Sequence, residues 1–117
     1  MHNFQELIIW KKAMKIAEEV YIITEKFPKE ERFGLTSQIR RSAISIPSNI
    51  SEGAGRNNDN EFRHFLGISN GSSSELLTQL FLSSRLGLIE ETETTPIIEQ
   101  LIEVQKMNHS LIKKFTK

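Results

Sequence analysis

The chain has 117 residues, 38% hydrophobic and 26% charged, enough for one domain with a buried core of its own. Fifteen basic residues balance fifteen acidic ones, which excludes a polycationic nucleic-acid binder and an acidic tail. With no cysteine there are no disulfides or thiolate metal sites, and no stretch reaches the ~20 apolar residues that span a bilayer.

The opening MHNFQELIIWKK lacks a basic segment leading into a long apolar run and a small-residue cleavage site, so the cytoplasm is the expected location. Residues 1–65 hold ten Lys/Arg against nine Asp/Glu, and residues 66–117 hold five against six. Any contact with nucleic acid must therefore come from a local patch, one that oligomerisation could repeat.

Helical spacing recurs along the chain, and sustained period-2 alternation does not. The first helix is expected over residues 6–26, stopping before Phe27-Pro28 because the residue before proline avoids the α region. Trp10, Ala13, Met14, Ala17, Val20 and Tyr21 share one face, and Ile9, Ile16 and Ile23 form a second stripe beside it. Together they cover nearly half the helix, more than the ~100° a surface helix needs. Either this helix is central in its own bundle or another chain covers part of it. Ile9, Ile16 and Ile23 are the candidate apolar oligomer interface.

The second helix is expected to begin near residues 28–31 and to run through Ile50, with a kink or a break at Pro47. GAGRNND, residues 53–59, ends it: glycine suits the C-terminal cap, and Asn58 or Asp59 can cap the next helix. A third helix follows over residues 60–86, with Phe62, Phe65, Ser69, Ser72, Leu76 and Leu80 at steps of three and four. Its middle, SNGSSSE, has weak helix propensity. Read locally it is a Gly/Ser turn; the other reading is one long helix whose small residues let a neighbour approach. Leu86-Gly87-Leu88 marks the end.

The fourth helix is expected after EETETT, with Thr95 as cap and Pro96 in the first turn. Ile97, Leu101, Val104, Asn108, Leu111 and Phe115 form its buried stripe, and Lys113, Lys114 and Lys117 offset the dipole at its C-terminus. Four helices with short connections predict an all-α, up-down-up-down four-helix bundle in a single domain, residues 1–117.

The most informative segment is SQIRRSAISIPSNISEGAGR, residues 37–56. Ile39, Ala43, Ile46, Ile50 and Ala54 give a core-facing stripe; Gln38, Arg41, Ser45, Asn49, Glu52 and Arg56 give a polar one, centred ~140° away. Polar residues opposite a core are ordinarily just solvated. Surfaces shaped only by solubility favour flexible Lys and Glu, however, and this stripe holds short Ser and Asn with Arg near its ends. Such groups can form a fixed network, with Arg suited to bidentate recognition of carboxylate or phosphate.

This segment, with FQELIIWKKAMKIAEEVY, EFRHFLGISNGSSSELLTQL and MNHSLIKKF, resembles the four-helix bundle family encoded in intervening sequences of bacterial large-subunit ribosomal RNA. The match spans nearly the whole chain, and SIPSNISEG is its most specific part. The resemblance implies a bundle that assembles as a ring-shaped homopentamer. The accessory protein of diversity-generating retroelements is similar in fold, and there the ring partners a reverse transcriptase and nucleic acid. It is clearly basic, whereas this chain is neutral. The family pattern falls on Gln38, Arg40, Arg41, Ser45, Pro47, Asn49, Glu52, Gly53 and Arg56, and on Gly71, Ser72 and Glu75. It implies unbroken helices through Pro47 and SNGSSSE, close packing at Gly71 and its serines, and a base from the neighbouring helix beside Glu75.

Catalytic signals are sparse. Glu61 and His64 make one Glu-x-x-His, but a di-iron bundle needs that motif twice with two further Glu, so no metal or cofactor is expected. HEPN-type ribonucleases place a His a few residues after an Arg. Here seven residues separate Arg56 from His64, and Arg63 adjoins it. His2 and His109 stand alone, Ser45 has no His at helical spacing, and GAGR lacks the Lys-Ser/Thr ending of a phosphate loop.

The sequence therefore predicts a non-catalytic, homo-oligomeric scaffold that binds RNA or an RNA-associated protein and no small-molecule substrate. The contact residues, for nucleic acid or oligomer, are Gln38, Arg40, Arg41, Ser45, Asn49, Glu52, Arg56, Arg63 and Glu75. The alternatives are a protein–protein adaptor without nucleic acid and a HEPN-like ribonuclease acting through His64.

Overall fold

Hydrogen-bonded caps set where each helix starts and stops in the computed structural model, which describes residues 3–116; His2 and Lys117 lie outside them. Asn3 accepts from the Gln5 N–H and opens a 3-10 turn, Phe4–Glu6, before α1, Ile8–Thr24. A second 3-10 turn, Lys29–Glu31, precedes α2, Leu35–Ala54. Asn58 caps α3, Asp59–Arg85, by accepting from the Glu61 N–H at 2.9 Å, with Asp59 and Glu61 in the first turn. Gly87, at φ 74°, ends α3: its N–H reaches the Ser84 carbonyl and the Leu88 N–H the Ser83 carbonyl, each at 3.0 Å. That left-handed residue and bond pair suit glycine.

α4, Glu91–Lys114, begins about one turn earlier than expected. Thr95 does not cap it. Its hydroxyl donates backwards to the Glu91 carbonyl at 2.9 Å, and Glu91 and Glu93 meet the positive end of the helix.

The helices alternate in direction around a square. α1 packs on α2, α2 on α3, α3 on α4 and α4 on α1, with no contact across either diagonal among the described residues. The bundle measures 45 × 22 × 20 Å. Ile39, Ala43, Ile46, Ile50 and Ala54 are fully buried, as their spacing predicts.

The first helix corrects the reading of its two stripes. Ile9, Ile16 and Ile23 are 2%, 0% and 9% exposed, so they are core and leave no surface for a second chain. Trp10 and Met14 are half-buried and Tyr21 is exposed. A helix at the corner of a square aims one arc at the centre; here that arc takes Ala13 and Val20 from the first stripe and Ile16 from the second, and Trp10, Met14 and Tyr21 sit on its flank towards α2.

α2 runs unbroken through Pro47 and α3 through SNGSSSE. Side chains beside Pro47 reinforce the helix: the Ser69 hydroxyl donates to the Ile46 carbonyl at 3.1 Å, and the Asn49 amide to the Ser45 carbonyl at 2.8 Å. The buried Ser73 and Ser83 hydroxyls bond to carbonyls one turn back, so these small polar residues carry few unmet bonds into the core. Gly71 is not the close-packing position; nothing lies within 4 Å of a Cβ placed there. Gly53 is. A Cβ on it would lie 2.8 Å from Phe65 Cβ, 3.0 Å from Phe62 Cδ1 and 3.3 Å from the Phe62 carbonyl oxygen.

Gly53→Ala should therefore cost about 1–3 kcal/mol by overpacking, while Gly71→Ala should add up to ~1 kcal/mol through helix propensity. Ile16→Glu should unfold the chain instead of releasing folded monomers. Urea denaturation followed by circular dichroism checks all three.

Candidate functional site

The polar stripe on α2 divides into three parts. In its middle, Ser45 shares a 2.8 Å hydrogen bond with Ser72 on α3, and the Asn49 amide also reaches the Ser45 hydroxyl at 3.0 Å. The Ser45–Ser72 bond ties α2 to α3, and Asn49 holds Ser45 from within α2. At the C-terminal end, Arg56 binds Glu52 at 2.6 Å, approaches Glu61 at 3.9 Å and stacks 5.1 Å from the Phe65 ring. At the N-terminal end Gln38 and Arg41 are exposed and carry no partner among the described residues.

Arg40 departs from the stripe altogether. Its Nε donates to the Thr24 hydroxyl at 2.8 Å, and Nη2 reaches the Tyr21 carbonyl at 3.3 Å and Glu25 at 3.2 Å. The guanidinium lies 4.5 Å from the Tyr21 ring centre. A cation placed on the terminal carbonyls of α1 complements its negative end and pins α2 to it. Arg40 thus serves the fold first. Glu75 has no ion pair with a base among the described residues; it accepts from Gln79 on its own helix at 3.2 Å. Arg63 is half-buried in a shallow depression with Asn60 and His64.

The sequence reading missed two surfaces. Between α1 and α2 runs an apolar groove of about 610 Å³, walled by Trp10, Met14, Ala17, Tyr21, Ile22, Ile44 and Pro47 and closed at one end by Phe4. Phe4 sets its ring edge against Trp10 at 5.2 Å. Ile22 is 66% and Ile44 45% exposed. The overwide apolar arc of the first helix was its only signal, because the other wall comes from a different helix. On the opposite flank, between α3 and α4, the exposed Phe81 lies with Ile98 in a groove edged by Arg85, Glu91 and Glu99.

His64 and His109 do not meet one another or a catalytic partner among the described residues. His64 is exposed and meets the Phe65 ring edge at 5.4 Å, and His109 is exposed on α4. Among the described residues no three His, Asp or Glu cluster as metal ligands, and no helix is long and apolar enough to cross a membrane. Arg40→Ala should cost about 1–3 kcal/mol, since it removes a charged donor from the buried Thr24 hydroxyl and from the Tyr21 carbonyl. Arg41→Ala should stay within ~0.5 kcal/mol of wild type. Thermal and urea unfolding of the two variants checks the contrast.

Residues 5–110 match the family model described as 23S rRNA-intervening sequence protein. A crystal structure of a protein of unknown function from the S23 ribosomal protein family of Bacteroides thetaiotaomicron VPI-5482 superposes with a TM-score of 0.81 at 25% identity. The alignment covers 91% of this chain and 99% of that one. No curated protein matches.

Proposed function

Because the chain belongs to the 23S rRNA-intervening sequence protein family, we propose that it is a non-catalytic, homo-oligomeric scaffold, a ring of five copies, that holds RNA or an RNA-associated protein. The observation that carries self-assembly is the apolar groove between α1 and α2. Contiguous apolar patches on soluble proteins mark contact sites, and this one runs into the exposed Ile22 and Ile44.

A second groove, in which Phe81 and Ile98 lie among polar and charged side chains, is on the opposite flank. Contact between two different faces on opposite flanks is head-to-tail, and a head-to-tail contact whose rotation divides a full turn closes a ring. Five is the number that the family resemblance implies. The RNA half draws on the family name and on Arg41 and Arg63, basic side chains that the fold does not consume.

One observation favours the alternative of a protein–protein adaptor without nucleic acid. Arg40 and Arg56 are engaged internally, and the chain carries no net charge.

In light scattering the wild type should have about five times the 13.5 kDa mass of one chain. Ile22→Glu should shift it to the monomer with its helicity unchanged. A wild-type monomer, or a variant of unaltered mass, contradicts the assembly. RNA binding followed by fluorescence anisotropy should weaken steeply with salt; no binding at low salt leaves the adaptor.

A further inference from the structure

The two flanks of the bundle carry opposite charge at the same end. Because the helices alternate in direction, the end of α1, the start of α2, the end of α3 and the start of α4 lie together. The Arg40–Thr24 and Lys26–Glu93 contacts join three of these segments there. On the α1–α2 flank the apolar groove runs into a pocket of about 640 Å³ through the shared side chains of Tyr21 and Ile44. Arg32, Arg40 and Arg41 contribute to that pocket's wall, and no carboxylate does. On the α3–α4 flank, Phe81 and Ile98 lie between Glu91 and Glu99.

Each flank holds charges that its own fold leaves unpaired. Arg32 and Arg41 are exposed without a carboxylate partner among the described residues, and Glu91 and Glu99 are exposed without a base. Each flank also shows an aromatic ring to solvent, Phe33 at 89% exposure and Phe81 at 52%. An aromatic anchor within a charged rim is a common construction of protein–protein contacts. The other charges nearby do not cancel the pattern. Glu25, at the edge of the basic flank, is paired with Arg40, and Glu31 sits beside Gly34. Arg85 is the single base in the acidic groove.

We infer that the α3–α4 flank of one copy docks on the α1–α2 flank of the next with the two bundles parallel. Phe81 and Ile98 meet Phe33 and Ile44, while Glu91 and Glu99 face Arg32 and Arg41. The inference rests on the self-assembly proposed above and names the contact that the assembly uses. In a ring whose axis runs along the bundles, every copy keeps this end level with that of its neighbours. Acidic and basic ends then meet at each contact. Two α1–α2 flanks set against each other would offer Arg32 and Arg41 neither Glu91 nor Glu99. Complementary charge fixes register and partner choice, and its effect weakens with salt. Arg41 is thereby taken from the RNA half of the proposal, which keeps Arg63.

The test is light scattering of the full chain across a dilution series, at low and at high salt. Arg32→Glu/Arg41→Glu and Glu91→Arg/Glu99→Arg, all at exposed positions and checked for helicity, should each weaken assembly about tenfold or more. Glu99→Arg alone leaves the acidic first turn of α4 in place and should act in the same direction. A chain with all four reversals exchanges the signs of both flanks and should regain the wild-type mass. Mixed with wild type, it should not co-assemble.

Variants that keep the wild-type mass overturn this docking while the assembly itself stands. So does a loss in the two double variants that the fourfold reversal fails to repair. A wild-type monomer removes the assembly, and this contact with it.

Discussion

How closely α2 and α3 approach each other governs the rest of the bundle. Gly53 leaves no room for a β-carbon against Phe62 and Phe65, and the buried Ser69 bonds directly to the α2 backbone at Ile46. Near the middle of the contact Ser45 and Ser72 meet across the seam. Close backbone approach requires small residues, and small residues supply little apolar area. The seam therefore gains its specificity from hydrogen bonds that leave few buried polar atoms unmet. Pro47 deprives only the Ala43 carbonyl of its helical donor, and with Ile46 and Ile50 fully buried beside it the packed face holds α2 through that gap.

That seam also decides what is left for function. Ser45, which reads as part of a recognition surface, is spent on Ser72 of α3 with Asn49 bonded back to it, and Arg56 is spent on Glu52 and Phe65. α1 is attached differently. Exposed ion pairs link it to α4, Lys12 to Glu103 and Lys26 to Glu93, and such pairs contribute ~0–1 kcal/mol each. Beyond its buried isoleucines, its main polar tie is Arg40 on the carbonyl end. Beside that anchor the α1–α2 groove stays open and apolar, and the end of α2 stays uncapped. The apolar candidate contact region thus lies on the α1–α2 flank, away from the α2–α3 seam.

Much of this was legible in the residues. Periodicity located four helices, and the Ile39 to Ala54 stripe is buried at every position. Asn58 and Gly87 punctuate the chain as their chemistry suggests. What could not be read depended on tertiary context. Two adjacent apolar stripes on α1 look alike in sequence, and only the corner position of the helix decides that Ile16 faces in and Trp10 lies on the flank. Local propensity misreads SNGSSSE because the hydroxyls of its serines are satisfied by helical carbonyls. Arg40 is indistinguishable from Arg41 by type; a one-residue step turns it towards Thr24. Phe33 is an isolated aromatic in a connection and has no period to betray it.

The central claim is that the α1–α2 face is the surface this bundle leaves for another copy. Because the chain has no cysteine, a single Ile44→Cys provides a clean probe of that face. Its reaction rate with a maleimide should be measured in the native protein and in the denatured chain. At 45% exposure in the isolated bundle a thiol at this position is open to reagent. The account predicts strong protection in the native protein, lost when dilution dissociates the assembly. Native and denatured rates that agree at every concentration would contradict it.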